Sequence, residues 1–306
     1  MKKAATTDII LKCFSSIPRK LRIGFFTGMF RLFYYLSPKQ RLITIHNLRC
    51  AFPEKSITEI KNIARGAYRT LGITAADFFE IPSLTKDNIG NLVAVEGLEY
   101  CTKALEKKRG ILMLGAHFGN WELAAVAFSL VLKPAVITYR PLDSPTFDNL
   151  VLWVRSSSGN ILIDKERAMR KMLRSLAHNE IVATMIDQNM AWQEGIFVDF
   201  FGRPACTTTG VALITLHTEA PVIPAYLVSL ESGKYRLVIK EEVPVVRTGD
   251  EDNDLLINTQ NFTKVVEDLV REYPEQWFWL HQRWKTKPWQ VPKKNRLVTG
   301  VVNKWK

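Results

Sequence analysis

His117 and Glu122, separated by four residues, are the side chains of this sequence best placed to do acid–base chemistry together. A histidine steered by a carboxylate is a general base that can deprotonate a hydroxyl. They stand in the stretch Gly110-Ile-Leu-Met-Leu-Gly115-Ala-His117-Phe-Gly119-Asn120-Trp-Glu122. Its first half is an apolar run bounded by glycines, the pattern of a buried parallel strand. Its second half leads into Leu123–Val131, an apolar stretch long enough to continue a helix. His117 therefore falls at a strand-to-helix corner, where open α/β sheets bind their ligands. On one continuous helix, five positions at roughly 100° each would splay the two side chains about 140° apart. They can meet only if His117 precedes the first turn and Glu122 lies within it. Gly119 bends freely and Asn120 caps a helix start, so the corner is well supplied. A capped helix start with a purely structural histidine is the competing reading.

Three more stretches offer polar groups at strand or helix ends. Tyr139-Arg140-Pro141 closes an expected strand, and Arg155 follows on an expected helix. An arginine in a cleft can hold a phosphate or carboxylate bidentately, and an arginine elsewhere is a surface salt-bridge residue. Met185-Ile186-Asp187-Gln188-Asn189 is an apolar strand ending on polar groups, which would stand at the same sheet edge as His117. Asp187 there can equally be a turn or cap acid. Thr207-Thr208-Thr209-Gly210 is expected to open a helix over 207–218, with capping hydroxyls and free N–H groups that favour anions.

The motif His117-Phe-Gly-Asn-Trp-Glu122 resembles the His-x-x-x-x-Glu motif of the glycerolipid and lysophospholipid acyltransferase superfamily. The longer Gly115-Ala-His117-Phe-Gly-Asn-Trp-Glu122 is closer still to the late acyltransferases of bacterial lipid A biosynthesis. Asn47-Leu48, Phe52-Pro53, Phe200-Phe201-Gly202-Arg203-Pro204-Ala205, Pro221–Pro224 and Pro274–Lys285 carry further similarity, nearly end to end. The resemblance implies transfer of a fatty acyl chain from an acyl carrier protein or coenzyme A thioester to a hydroxyl of a lipid A precursor. It implies a His117/Glu122 general-base dyad and cations at Arg140 and Arg155 for a phosphorylated acceptor. Gly119, Asn120, Asp187, Gln188, Thr208 and Gly210 complete the expected substrate-binding set, with no metal or other cofactor. It also implies membrane-associated N-terminal helices at the cytoplasmic face of the bacterial inner membrane. Another lysophospholipid or glycolipid acceptor is the near alternative.

Composition fits this frame. With 306 residues and 47% hydrophobic content, one sizeable core is expected. We divide the chain at residue 90, a helical membrane-associating segment followed by a catalytic domain over 91–306. From 92 onward, expected strands (92–96, 110–115, 133–139, 161–164, 180–187, 197–201, 221–229, 234–241) alternate with expected helices, which argues for a mixed sheet flanked by helices, an α/β fold. Upstream, Pro18, Ser37-Pro38 and a Ser56–Glu59 capping box mark helix starts. Ile23–Leu36 is apolar and aromatic-rich, but at 14 residues it is short of a bilayer span and reads as an interfacial helix or as core.

The net charge of +12 predicts an anionic partner. Residues 283–306 carry eight Lys/Arg, no acid, and Trp284, Trp289 and Trp305, a composition that suits a membrane interface or an acidic carrier. A nucleic-acid-binding module is the reading from another class, and no recognition motif supports it. Neither a Gly-x-Ser-x-Gly elbow nor a P-loop, dinucleotide or His-Glu-x-x-His signature occurs. Cys13, Cys50, Cys101 and Cys206 are too scattered for a metal or disulfide pattern and read as buried thiols in a reducing compartment.

Overall fold

The computed structural model describes residues 5–164 and 168–292. Seven strands form one mixed sheet in the order β1-β9-β8-β2-β5-β3-β4. They are β1 (Val93–Glu96), β2 (Ile111–Gly115), β3 (Ala135–Tyr139), β4 (Ile161–Asp164), β5 (Ile181–Met185), β8 (Val222–Ser229) and β9 (Tyr235–Ile239). All neighbouring pairs are parallel except β8 with β9, a hairpin. Alternation along β2 shows why the sheet is buried on both faces. Ile111 and Met113 join one apolar cluster, and Leu112 and Leu114 join the other. Helices α5 (Leu98–Glu106), α6 (Trp121–Val131) and α7 (Pro145–Ser156) cover the first face. Helices α8 (Ala168–Ala177), α9 (Gly210–Thr218) and α10 (Glu251–Glu272) cover the second.

Four helices precede the sheet: α1 (Ala5–Ser15), α2 (Arg19–Leu36), α3 (Pro38–Ala51) and α4 (Ile57–Phe78). The capping box forms as read, with the Ser56 hydroxyl accepting from the Glu59 backbone and the Glu59 carboxylate accepting from the Ser56 N–H. Helix α2 packs on α4 with Phe26 and Tyr34 buried, yet leaves Leu21, Phe25, Met29, Leu32 and Leu36 exposed at helical spacing. Among the residues described, no helix is long and apolar enough to cross a membrane. Ion pairs tie α2 to the rest: Arg19 holds the buried Asp77 bidentately, and buried Arg22 reaches Glu80.

Three expectations need correction. Thr207 and Thr208 do not open the helix expected over 207–218: β6 (Gly195–Phe200) and β7 (Arg203–Thr208) form a separate antiparallel hairpin turned at Phe201-Gly202, and α9 begins only at Gly210. Cys13 is exposed, whereas the other three thiols are buried. Arg283 and Trp284 are folded inside, at 1% and 6% exposure, not at an interface. Trp289 is exposed, and the basic run from Lys293 onward, with Trp305, lies outside the described residues.

Candidate active site

Strands β2, β3 and β5 are parallel, so their carboxyl ends deliver His117, Arg140 and Asp187 to one edge. The corner after β2 is built by Gly119 and Asn120. Gly119 has φ +55°, and a Cβ there would come within 1.9 Å of the Leu227 carbonyl oxygen. Its N–H donates to the Gln276 carbonyl at 2.7 Å, and its own carbonyl accepts from Thr74 on α4. The Asn120 side chain accepts from the Leu123 N–H at 3.1 Å and caps α6. Neither residue lines the adjoining cavity, so both shape the backbone that presents His117 rather than forming a binding wall.

His117 is steered by Asp187. The Nδ1–H donates to Asp187 Oδ1 at 2.8 Å, while the His117 backbone N–H donates to Oδ2 at 2.8 Å. The Trp277 indole N–H also donates to Oδ2 at 2.8 Å. This network assigns the neutral tautomer with the lone pair on Nε2. The Gln188 amide nitrogen stands 3.4 Å from Nε2. Asp187 is buried behind the ring and is not among the residues that line the cavity. Its burial opposes ionisation, but the charge and hydrogen bonds of His117 outweigh that, and its pKa lies well below the usual carboxylate range. Burial likewise disfavours the His117 imidazolium. The Asp187 charge and hydrogen bond, with a push from Glu122, overcome it and hold the pKa above the ordinary 6.5.

Glu122, expected to steer the ring, is instead gripped by Arg155. The guanidinium donates Nε–H to Oε2 at 2.7 Å and an Nη2 hydrogen to Oε1 at 2.6 Å. The neighbouring Trp121 indole donates to Oε1 at 3.1 Å. Glu122 thus bonds to Arg155 and Trp121; its charge raises the His117 pKa through space, and the Arg155 charge opposes it. The same pairing occupies the Arg155 fork, so the exposed Arg140 is the cation at the mouth with the freer guanidinium.

The cavity beside His117 holds about 590 Å³, within the range of sites for small ligands. Its sheltered end is apolar, with Met113, Phe128, Ala135, Ile137 and Leu237 all buried. Its open end carries His117, Glu122, Arg140, Arg155, Gln188 and Thr208, with Gly210 at the start of α9. Among the residues described, no group of three His, Cys, Asp or Glu is placed to hold a metal.

The C-terminal segment closes the back of the site. Phe118 pairs with Trp277 as an isolated bridge, and the Phe278 N–H donates to the His117 carbonyl at 3.0 Å. His281 and Arg283 lie behind Asp187, where burial pushes the His281 pKa down to about 4 and that of Arg283 to about 10. The aromatic composition of 277–284 marked this segment, but only tertiary packing reveals Trp277 as the third donor to Asp187.

A histidine braced by a buried carboxylate, facing a cavity with an apolar interior and a cationic mouth, is an arrangement chemically able to activate a hydroxyl or water beside an apolar group. The comparisons specify the class. Residues 7–286 match the family model of the bacterial lipid A biosynthesis acyltransferases, and the chain belongs to that family. It is similar to the lipid A biosynthesis lauroyltransferase of Escherichia coli K12, 30% identical over 83% of this chain and 82% of that protein. A lipid A biosynthesis acyltransferase of Haemophilus influenzae is 30% identical over 84% and 82%. More distantly, a phosphatidylinositol mannoside acyltransferase of Mycolicibacterium smegmatis is 21% identical over 67% of each chain. The protein is an acyltransferase.

Proposed function

We propose that the chain moves a fatty acyl group from a thioester donor, an acyl carrier protein or coenzyme A, to a hydroxyl of a lipid A precursor. The observation that carries the mechanism is the His117 Nε2 lone pair presented at the open end of an apolar cavity, with Nδ1 locked onto Asp187. The acyl chain lies in the apolar end, which brings its thioester carbonyl to the histidine. The acceptor hydroxyl gives its proton to Nε2 as its oxygen attacks that carbonyl. Collapse of the tetrahedral intermediate expels the thiolate, which takes up the proton from the imidazolium. Glu122 and Asp187 both favour the transient imidazolium, Asp187 by contact and Glu122 through space. Arg140 meets a phosphate of the acceptor, and Gln188, Thr208 and Gly210 line its path.

In this reading residues 1–90 associate with the membrane and 91–306 form the catalytic domain, at the cytoplasmic face of the inner membrane. Support comes from the exposed stripe Leu21, Phe25, Met29, Leu32 and Leu36 on α2, which suits a helix lying in the interface plane. The test is transfer itself. Detergent-solubilised protein is given acyl carrier protein thioesters of several lengths and a tetra-acylated lipid A precursor, and products are weighed by mass spectrometry. One added acyl group, absent with His117→Ala, is expected. Transfer only to a phosphatidylinositol mannoside would move the acceptor assignment. No transfer to any acceptor would end the reading of His117 as a base.

A further inference from the structure

A second cavity, sharing no lining residue with the His117 site, lies between α3, the start of α4 and the β6–β7 hairpin. It encloses about 690 Å³ and is lined by two kinds of residue. Leu42, Ile45 and Ile57 supply an apolar wall, and Leu42 and Ile57 are exposed at 64% and 48%. Arg49, Lys55 and Arg203 supply cations, and no acidic side chain is among the lining residues described. Two of these cations are held in place. The Arg203 Nε–H donates to the Cys50 carbonyl at 3.2 Å, and the Lys55 ammonium sits over the Phe52 ring, 5.7 Å from its centroid. The nearby Glu59 is committed to the α4 cap through Ser56. The His46 imidazole also lines the cavity, with Nε2 3.6 Å from the Cys50 thiol.

An apolar wall beside three cations, with Glu59 close enough to Lys55 to feel its charge but no carboxylate among the lining side chains described, fits an amphiphile with an anionic head. Leu42 and Ile57 on the cavity wall are exposed apolar side chains, as are those of the α2 stripe assigned above to the membrane surface. We infer that this cavity binds one anionic phospholipid of the bilayer. Arg49, Lys55 and Arg203 hold its phosphate, and Leu42, Ile45 and Ile57 receive the upper part of an acyl chain. The site anchors the protein and orients it. Its location on the bilayer rests on the membrane reading of α2, whereas its ligand chemistry does not.

The test separates the two. Short-chain phosphatidylglycerol, kept below its micellar concentration, is titrated into the full-length protein by calorimetry, with short-chain phosphatidylcholine and inorganic phosphate as the other arms. Saturable binding of phosphatidylglycerol is expected, at least tenfold tighter than either comparator. Arg49→Gln and Arg203→Gln should each weaken it about tenfold, as loss of a hydrogen bond to a charged group does. Leu42→Trp, a change at an exposed position that fills the opening without altering charge, should weaken it as strongly. Equal binding of phosphatidylglycerol and phosphatidylcholine, or affinity unmoved by Leu42→Trp, would overturn the site. Binding of an acidic carrier protein that competes with the lipid and is lost in the same variants would overturn it in favour of a protein partner. Failure of the α2 stripe to dock on vesicles, with short-chain binding intact, would instead remove the membrane reading and leave the cavity assignment standing.

Discussion

Two carboxylates act on the same histidine, and their surroundings give them different work. Asp187 is fully enclosed and accepts three hydrogen bonds, two of them from His117 itself. Glu122 lies at the cavity edge and is satisfied by a guanidinium and an indole. An aspartate on rigid strand-end backbone fixes tautomer and ring orientation; a glutamate paired with arginine fixes field and shape. Spacing in sequence makes Glu122 the obvious partner of His117, and packing makes Asp187 the actual one. A carboxylate's role is therefore set by which cation or donor reaches it first.

The sharpest way to break this comparison is to remove the histidine they share. We expect His117→Ala to lower kcat by roughly 10³-fold or more while leaving the fold intact, since the side chain is a quarter exposed at 24%. Retained turnover with a normal melting curve would dismiss the base. Next in size is Asp187→Asn, expected to lower kcat by about 10²-fold or more by releasing the tautomer. Its particular signature is in the pH profile. The base must be neutral to act, so the wild-type rate climbs with pH along a limb centred above 6.5. Removing the Asp187 charge lowers the His117 pKa, and the limb should move to lower pH. A limb that stays in place would assign Asp187 a purely structural role.

Glu122→Gln should do less to the limb and more to stability. It leaves the Arg155 guanidinium without its carboxylate, at a cost of about 2 kcal/mol for a pair that is only partly enclosed. The double variant Glu122→Gln/Arg155→Gln should recover part of that loss in denaturant titrations; strict additivity would show that the pair is not coupled. Stability against pH offers a fourth check. The raised His117 pKa contributes fully below 6.5 and is lost as pH rises through the folded value, whereas the lowered Asp187 pKa contributes above 3.8 and is lost as pH falls. Melting temperature should therefore peak between those limits and flatten in Asp187→Asn. The smallest effect on catalysis is expected from Phe25→Glu/Met29→Glu on α2, which should abolish vesicle flotation and leave turnover in detergent nearly unchanged. Vesicle binding that survives the change would separate α2 from the membrane reading.

The sequence by itself determined what is local or periodic. Apolar runs between glycines placed β2, and strand–helix alternation gave the α/β class. The Ser56–Glu59 box opened α4, and the His117–Glu122 motif carried the family. What it could not determine was how residues distant in the chain would meet. Asp187 lies 70 residues from His117, and Trp277 lies 90 from Asp187. Their convergence depends on β5 pairing beside β2 in parallel register, which puts both strand ends at one edge. The β6–β7 hairpin was misread because threonines beside a glycine serve a strand end as readily as a helix cap. The destination of Arg283 was misread for a related reason. A cation among tryptophans suits either a membrane surface or a closed interior, and here backbone carbonyls and Thr207 accept from its two Nη groups inside the fold. Composition specifies which environments a residue tolerates, and only the tertiary packing decides which one it receives.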